Sequence, residues 1–362
     1  GAQRTEEYVP LLQGKKVGIV ANHTSFIGSS HLVDSLLKLG IEVKIVFSPE
    51  NGFRGDKDAG AHVKHSIDSK TGLPIYSLHG KTKKPSAKSL KGIDVVLFDI
   101  QDVGVRFYTY ISSLHYVMEA CAENKVKLIV LDRPNPNAHY VSGPVLQAKY
   151  RSFVGLHPVP VVYGLSIGEY ARMINGEHWL KDSVTCDLTV VDLLNWNHEK
   201  EYFLPISPSP NLPNQLSLYL YPHLCFFEGT AVSVGRGTNS PFQLFGHPRY
   251  LDTTFSFKPR SKKGASSPPL MNEQCFGIDL RSMSIEEARS IKKLDLSYMY
   301  LAHEKVKVKK FFTSPAFLRL LVGNNQLINQ IETGVAISEV EKSWEAGIND
   351  FLLVRKKYLV YP

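Results

Sequence analysis

The feature that constrains the fold most is the alternation of short apolar runs with amphipathic stretches through the first half of the chain. The apolar runs predict buried strands at 16–22, 43–47, 94–98, 127–131 and 159–162. Amphipathic stretches predict helices at 31–39, closed by Gly40, at 110–124, and at 166–175, with Gly176 at its end. Strands and helices in this order, with continuously apolar strands, are typical of a doubly wound, mostly parallel sheet in the α/β class.

A proline-rich segment at 205–213 interrupts this pattern and predicts a domain boundary. Residues 1–206 are expected to form a Rossmann-like catalytic domain, and residues 207–362 a smaller α+β C-terminal auxiliary domain. In the second domain we predict a strand at 250–257 and helices at 284–293, 315–322, 324–332 and 337–358. Ser284 with Glu287 three residues later is the signature of a capping box.

Polar side chains follow four of the predicted strands directly. They are Asn22-His23-Thr24, Pro49-Glu50-Asn51-Gly52, Asp99-Ile100-Gln101-Asp102 and Asp132-Arg133-Pro134-Asn135. In open α/β sheets the ligand crevice lies outside the carboxyl ends of the strands. The sequence therefore predicts a polar site with carboxylates, amides and arginines at this edge of the sheet.

Several kinds of chemistry lack their sequence signatures. The first strand–helix turn, at 21–28, has no G-x-G-x-x-G spacing, and the Gly-rich stretch at 229–238 has no P-loop ending, so we expect no nucleotide. There is no G-x-S-x-G elbow and no H-E-x-x-H motif, and His62 with His65 is at most a weak pair. The four cysteines form no C-x-x-C pair and favour buried free thiols. We expect no cofactor and no metal.

The net charge of +8 suggests anionic surroundings or an anionic ligand. The lysines are scattered and no basic stripe interleaves with aromatic residues, so a solvated surface is favoured over a nucleic-acid groove. No stretch approaches the ~20 apolar residues of a membrane helix. The chain begins Gly1-Ala2 without an initiator methionine, and we expect that an export signal preceded it.

Candidate catalytic residues lie in the polar loops, and each has a plainer alternative. Glu50, held between Pro49 and Asn51-Gly52, is a candidate general acid, because partial desolvation raises the pKa of a glutamate. The alternative is that it caps the following turn or pairs with Arg54. Asp132 is as well suited to bracing its own loop as to contacting a ligand.

Asp99, Gln101, Asp102 and Arg106, with Tyr108 and Tyr110, resemble a sugar site, in which polar groups fix hydroxyls and rings cover apolar faces. The alternative is an Asp102–Arg106 salt bridge that anchors the following helix. Arg133 points toward the same edge from a proline-stiffened loop. Glu228 and Arg236, embedded among glycines, favour a functional loop in the second domain.

Ordered motifs along almost the whole chain resemble the NamZ-type exo-β-N-acetylmuramidase family of peptidoglycan hydrolases, formerly known as a domain of unknown function. The matching segments are 17–22, 49–55, 98–110, 132–136, 143–144, 167–169, 209–213, 228–230, 233–238, 241–242 and the tail at 355–361. The resemblance implies an exo-acting glycoside hydrolase that releases terminal, non-reducing β-linked N-acetylmuramic acid (MurNAc). It also implies a cleft between a Rossmann-like domain and an auxiliary domain.

Under this resemblance Glu50 corresponds to the catalytic glutamate of the family. The residue after that glutamate is usually histidine in the family, and here it is Asn51. Asn51 is therefore expected to affect the pH optimum or the substrate preference. The expected partners are peptidoglycan-derived muropeptides or MurNAc-GlcNAc disaccharides, and the expected location is exported, either periplasmic or associated with the cell envelope.

The mechanism expected from these residues begins with Glu50 protonating the glycosidic oxygen. Either a carboxylate activates water, with Asp99, Asp102 and Glu228 as candidates, or the 2-acetamido group of the substrate attacks. Arg54, Arg106, Arg133 and Arg236 are candidates to hold the lactyl carboxylate of MurNAc. The remaining expected substrate contacts are Asn22, Asn51, Gln101, Tyr108, Asn211 and Thr238. Two other functions stay open, an exo-hexosaminidase of different specificity and a non-catalytic muropeptide-binding protein.

Overall fold

The computed structural model describes residues 1–49, 52–54, 66–80 and 82–362. Its strands are β1 (Lys16–Ala21), β2 (Phe26–Ile27), β3 (Ser30–His31), β4 (Glu42–Ser48), β5 (Ser66–Ile67), β6 (Pro74–Ser77), β7 (Val95–Asp99), β8 (Lys127–Leu131), β9 (Leu188–Val191), β10 (Leu244–His247), β11 (Ser256–Phe257) and β12 (Cys275–Asp279). Its helices are α1 (Thr5–Leu12), α2 (Leu32–Lys38), α3 (Ala87–Leu90), α4 (Tyr110–Asn124), α5 (Ile167–Gly176), α6 (Gln215–Leu224), α7 (Ile285–Ser290), α8 (Ser297–Lys305), α9 (Pro315–Val322), α10 (Gln326–Glu332), α11 (Ile337–Lys342) and α12 (Glu345–Lys356).

Within the described residues the central sheet has seven strands in the order β5-β6-β4-β1-β7-β8-β9. All neighbouring strands are parallel except β5 and β6. Without the antiparallel edge strand β5, this is the order of a Rossmann-like doubly wound sheet, whose direction of winding reverses between β1 and β7. The predicted fold class is confirmed.

Both faces of the sheet are buried, as the continuously apolar strands predict. Along β7, Val95 and Leu97 belong to one apolar cluster, while Val96 and Phe98 belong to the cluster on the opposite face. Strand β8 alternates between the two clusters in the same way. Helices α4 and α5 cover one face and α1 and α2 the other, so the carboxyl edge of the sheet is left to carry polar groups.

The second half of the chain forms a three-stranded antiparallel sheet, β10-β12-β11, surrounded by helices. Its apolar core also takes in Val103, Val105, Phe107 and Tyr140 from the first half. The loop after β7 therefore packs into the second domain. This packing joins the carboxyl edge of the large sheet to the auxiliary domain.

Two predicted strands are wrong. Residues 159–162 form isolated bridges, in which Val162 pairs with Val105 and Ser142, rather than a strand of the sheet. Within 250–257 only Ser256–Phe257 is a strand, and β10 and β12 lie where no strand was predicted. The predicted helix at 337–358 is two helices, α11 and α12, while the capping box of Ser284 and Glu287 is present.

Candidate functional site

The polar loops after β1 and β7 meet where the winding of the sheet reverses. The Asn22 side chain is fully buried; its Oδ1 accepts from the Thr24 amide and hydroxyl at 2.8 and 2.6 Å, and its Nδ2 donates to the Tyr110 hydroxyl at 2.8 Å. The Gln101 amide donates to Thr24 Oγ1 at 3.1 Å. The side-chain oxygen and nitrogen of Asn22 therefore both form hydrogen bonds within the protein, and Asn22 holds the loop after β1 in place.

Gln101 connects the loop after β7 to the loop after β8. Its side-chain Nε2 donates to the carbonyl oxygens of Asp102, at 2.8 Å, and Pro134, at 2.7 Å. The residue is 3% exposed. In this position Gln101 shapes the backbone of the site, while its predicted role as a sugar contact stays a prediction.

Asp99 and Arg133 form a bidentate ion pair between these two loops. Arg133 Nε lies 2.6 Å from Asp99 Oδ1 and Nη2 lies 2.8 Å from Oδ2. The side chain of Asp99 is 0% exposed and that of Arg133 is 11% exposed. Burial alone would lower the pKa of Arg133, but Asp99 outweighs it and the net direction is upward. Both partners are engaged with each other and brace the edge of the sheet.

Asp102 is buried, and no cation pairs with it among the described residues. Its Oδ2 accepts from the Tyr163 hydroxyl and from the Gly104 amide at 2.7 Å, and within the same part of the chain its Oδ1 has no hydrogen-bond partner. Burial raises the pKa of Asp102 to about 7, against the smaller opposing effect of the Tyr163 hydrogen bond. The alternative of an Asp102–Arg106 salt bridge is wrong, since the described residues place both side chains on other partners.

Arg106 is fully buried and bridges the two halves of the chain. Its Nη1 donates to the carbonyls of Pro144 and Val159, both at 2.7 Å, and its Nη2 to those of Leu321 at 2.9 Å and Val322 at 2.7 Å. These contacts turn the guanidinium toward backbone instead of toward the crevice. Arg106 therefore ties the loop after β7 to the end of α9, and this geometry does not support the predicted contact with a substrate carboxylate.

Arg54 is held by two aspartates. It donates to both Asp68 oxygens, at 2.8 and 2.7 Å, and to Asp34 at 3.1 and 3.4 Å. It lines a cavity of about 290 Å³ together with His23, His31, Lys38 and Lys70. The guanidinium edges are taken up by carboxylates, so Arg54 organises this surface more readily than it grips a substrate carboxylate.

The proline-rich linker is pinned to the carboxyl edge of the sheet. His23 Nε2 lies 2.8 Å from the Ser207 carbonyl, and the Tyr108 hydroxyl donates to the Pro208 carbonyl at 2.9 Å. Burial lowers the pKa of His23, which favours the neutral ring in this contact. Asn211 Nδ2 donates to the Gly264 carbonyl at 2.8 Å. The linker is therefore a wall of the site.

A row of aromatic rings leads from this edge into the second domain. Tyr108 lies edge-on to Tyr110, with ring centroids 4.9 Å apart, and to Tyr221 at 6.0 Å. Tyr221 contacts Phe242 at 4.9 Å, and the Arg236 guanidinium lies 5.2 Å above the Phe242 ring. Tyr221 and Phe242 are buried, so this row connects the half-buried Tyr108 to Arg236 through the core of the second domain.

Arg236 pairs with Glu228 at the second-domain end of this row. Both Nε and Nη2 lie near Glu228 Oε1, at 2.6 and 2.5 Å. The side chains are 26% and 23% exposed, so both partners reach solvent. Within the described part of the chain Glu228 Oε2 has no cation beside it and accepts only from Cys225 Sγ, at 3.9 Å. This pair is the described carboxylate and guanidinium best placed to meet a ligand.

Thr238 lies on the turn that follows Arg236. Its hydroxyl donates to the Gly235 carbonyl at 2.7 Å and accepts from the Ser240 amide at 3.0 Å. Gly237 has a φ of +81°, and a Cβ there would lie 2.5 Å from the Arg260 carbonyl oxygen. A glycine is required at this close approach, which explains one of the glycines around Arg236.

Glu50 and Asn51 lie outside the described residues, so their predicted roles stay predictions. The structure brings together Asn22, Gln101, Asp99 and Arg133 at the edge of the sheet, and it joins Tyr108 to Arg236 through aromatic rings. Sequence reasoning did not single out His23, Tyr221 or Phe242 as site residues. The position of His23 directly after β1 was the available signal; the two rings had none beyond apolar character.

Among the described residues no group of three or more histidine, cysteine, aspartate or glutamate side chains is arranged to hold a metal ion. The four cysteines are buried free thiols, as predicted. Searched over the same residues, the helices include none long and apolar enough to cross a membrane.

Comparison with known proteins gives matches along nearly the whole chain. The family models for the N-terminal and C-terminal parts of exo-β-N-acetylmuramidase NamZ match residues 17–216 and 219–361. The chain is 38% identical to the peptidoglycan β-N-acetylmuramidase NamZ of Bacillus subtilis (strain 168), over 98% of this chain and 89% of the relative.

Two crystal structures of DUF1343 family proteins from Bacteroides fragilis NCTC 9343 share the fold. One is 46% identical with a TM-score of 0.92, covering 99% of this chain and 98% of the other. The second is 29% identical with a TM-score of 0.85, covering 99% and 97%.

Proposed function

The chain belongs to the exo-β-N-acetylmuramidase NamZ family of glycoside hydrolases, and from that premise we propose that it releases terminal, non-reducing β-linked MurNAc from peptidoglycan fragments. The observation that carries the proposal for this site is the Glu228–Arg236 pair. It is accessible, it lies at the end of an aromatic row from the sheet edge, and it presents a carboxylate and a guanidinium side by side. MurNAc differs from GlcNAc by a lactyl carboxylate, which a guanidinium recognises.

Arg236 is the best supported of the four candidate arginines for that carboxylate. Arg106 donates only to main-chain carbonyls, Arg133 is bidentate on Asp99, and Arg54 is held between Asp34 and Asp68. Arg236 uses Nε and Nη2 on one oxygen of Glu228, and its Nη1 makes no hydrogen bond to the described residues, so this group is available to a ligand. The planar guanidinium can then hold Glu228 and the substrate together.

In the proposed mechanism Glu50 protonates the glycosidic oxygen while the sugar becomes oxocarbenium-like. Glu228, from the second domain, activates the attacking water or orients the 2-acetamido group of the substrate. Asp99 is less suited to this role because it is paired with Arg133, and Asp102 because burial favours its protonated form. The half-buried ring of Tyr108 provides an apolar surface against which a sugar face can pack, and the buried Tyr221 supports that ring from behind. Asn22, Gln101, Asn211 and Thr238 hold the loops around this surface, each through hydrogen bonds within the protein.

The proposed substrate also indicates where in the cell the enzyme works. Peptidoglycan lies outside the cytoplasmic membrane, so an enzyme that acts on its fragments in place must be exported. We extend the proposal to an exported enzyme, periplasmic or associated with the cell envelope. Fractionation of the native host tests this. Recovery of the protein outside the cytoplasm supports export, and recovery within the cytoplasm indicates intracellular recycling.

The test of the function is hydrolysis of a chromogenic β-MurNAc glycoside by the wild type and by Glu50→Gln. We expect turnover by the wild type and a loss of at least ~100-fold in Glu50→Gln, because general acid catalysis contributes about 10²–10⁴-fold. The matched control is Glu42→Gln. Glu42 is an exposed carboxylate at the opposite end of β4, and its loss should leave turnover unchanged.

Other results support the competing functions. Turnover of a β-GlcNAc glycoside without turnover of the MurNAc glycoside indicates a hexosaminidase of another specificity. Binding of MurNAc-GlcNAc that is unchanged in Glu50→Gln, with no turnover of either glycoside, indicates a muropeptide-binding protein. Circular dichroism spectra of all variants exclude loss of the fold as a cause.

A further inference from the structure

A second concave surface lies on the auxiliary domain, next to the turn that carries Arg236 and Thr238. This groove has a volume of about 360 Å³. Its lining residues include Thr238, Asn239, Phe255, Lys258, Arg260 and Arg281. The groove therefore begins at one wall of the proposed active site and extends away from it along β11 and the loop that follows β11.

The groove is cationic. Between residues 253 and 272 the chain has four lysine and arginine residues and no aspartate or glutamate. Lys258 and Arg260 are exposed, and among the described residues no ion pair joins either one to an acidic side chain. Arg281 differs, because Asp279 neutralises it at 2.7 Å. Two uncompensated cations thus face an open groove, which favours an anionic ligand.

An aromatic surface lies beside these cations. Phe255 is half-buried and stacks on the buried Phe257, with ring centroids 6.0 Å apart and an angle of 27° between the planes. The Arg281 guanidinium lies 5.5 Å from the Phe255 ring centroid. An accessible ring next to cations suits a ligand with both an apolar face and a negative charge, as an acidic sugar has.

The groove is fixed rigidly to the active-site wall. The Arg260 amide donates to the Gly237 carbonyl at 3.0 Å. Lys262 Nζ donates to Asn239 Oδ1 at 2.5 Å and to the Thr238 carbonyl at 3.1 Å. A ligand that occupies both the site at Arg236 and this groove would meet one continuous, preorganised surface.

We infer that the groove binds a second MurNAc unit of the same glycan strand, beyond the bond that is cleaved, with Lys258 and Arg260 on its lactyl carboxylate and Phe255 against its ring. This inference rests on the proposed function, since an exo-acting enzyme places only the terminal sugar at the catalytic groups. The rest of the strand must leave the site along the protein surface. The enzyme therefore prefers strands that contain at least two MurNAc units.

The experiment compares the wild type with the double variant Lys258→Ala/Arg260→Ala on three peptide-free substrates. They are the chromogenic β-MurNAc glycoside, the MurNAc-GlcNAc disaccharide and the tetrasaccharide with two such units. For the tetrasaccharide we expect kcat/KM to fall about 3- to 30-fold, through KM, as two exposed ion pairs are lost. The fall should shrink in high salt. For the two smaller substrates kcat/KM should be unchanged.

The control, Lys309→Ala/Lys310→Ala, makes the same charge change on an exposed segment of the same domain.

Equal losses on all three substrates, or no loss on the tetrasaccharide, would overturn the inference. The same comparison is made with a fourth substrate, the peptide-bearing tetrasaccharide. If the double variant loses activity on this substrate alone, the groove binds peptide carboxylates and the inference is also overturned. Calorimetry of tetrasaccharide and disaccharide binding to Glu50→Gln, with and without the groove substitutions, gives the same comparison without turnover. Failure of the proposed function is separate, because it would appear as absent hydrolysis of the chromogenic MurNAc glycoside by the wild type.

Discussion

Two arginine–carboxylate ion pairs come from the two halves of the chain. Asp99–Arg133 lies at the edge of the large sheet, with side-chain exposures of 0% and 11%, whereas Glu228–Arg236 lies in the second domain, with exposures of 23% and 26%. In the first pair both carboxylate oxygens are used, and in the second a single oxygen takes both nitrogens. The difference indicates a bracing role for the buried pair and a ligand-facing role for the exposed pair.

The comparison also shows that a charged residue at the carboxyl edge of a sheet is not by that position alone a catalytic residue. Asp99 ends β7 and Arg133 lies just beyond the end of the neighbouring strand β8, where the two side chains pair with each other. Glu228 and Arg236 lie on a glycine-rich segment that leaves their side chains at the surface. Accessible area therefore separates the two pairs better than the type of residue does.

The largest effect on stability is expected from breaking the buried pair. Arg133→Met leaves the Asp99 carboxylate buried without a cation, and such losses cost about 3–5 kcal/mol in the free energy of unfolding. The control is the double variant Asp99→Asn/Arg133→Met, which removes both charges and should recover much of the loss. Urea denaturation of the three proteins measures this, and a free energy for Arg133→Met within ~1 kcal/mol of the wild type would show that the pair does not brace the sheet edge.

The second largest effect on stability is expected from Asp102, a buried carboxylate that has no cation beside it among the described residues. Because burial raises its pKa from 3.8 to about 7, the folded protein holds this proton up to a higher pH than the unfolded chain. The contribution of Asp102 to stability is complete below about pH 4 and is lost as the pH rises through about 7. The difference between the two pKa values corresponds to as much as ~4 kcal/mol.

Asp102→Asn removes this proton equilibrium while keeping a side chain of similar shape. We expect the wild type to become less stable relative to the variant between pH 4.5 and pH 7.5. Urea midpoints at both pH values provide the measurement. If wild type and variant change in parallel between these pH values, Asp102 does not hold a proton in the folded protein.

The smallest effect on stability is expected at the exposed pair. Arg236→Gln should change the free energy of unfolding by about 1 kcal/mol or less, because ion pairs that reach solvent contribute little. The same urea denaturation series gives this value. A loss of unfolding free energy as large as that of Arg133→Met would show that both pairs stabilise the fold to the same extent.

The sequence predicted strands β1, β4, β7 and β8 of the central sheet, which are long apolar runs, but not β5, β6 and β9, which have two to four residues each. Helix α4 and strand β8 have the predicted ends, since each is a complete run of one pattern. In the second domain β10 and β11 have four and two residues, too few for a strand pattern to stand out from loops. Residues 159–162 are apolar because they fill the contact between the two halves, a tertiary cause that resembles a strand in sequence.

The sequence predicted where the site lies, but it did not predict which of the site's side chains pair with each other. The strand ends placed Asn22, Asp99 and Arg133 together, since parallel strands share one carboxyl edge. The sequence did not show that Asp99 would select Arg133, 34 residues away, and leave Asp102 without a cation. Nor did it show that Arg106 would turn to the carbonyls of Leu321 and Val322, because that contact depends on how the second domain docks.

Arg236, in the pair that reaches solvent, is proposed to recognise the substrate carboxylate. The most direct test is the ratio of kcat/KM for chromogenic β-MurNAc and β-GlcNAc glycosides in the wild type, Arg236→Gln and the control Arg54→Gln. A hydrogen bond to a charged group contributes about 1.5–3 kcal/mol, so Arg236→Gln should lower the ratio about 10- to 100-fold while Arg54→Gln leaves it unchanged. An unchanged ratio in Arg236→Gln, or an equal fall in both variants, would show that Arg236 does not recognise the lactyl carboxylate.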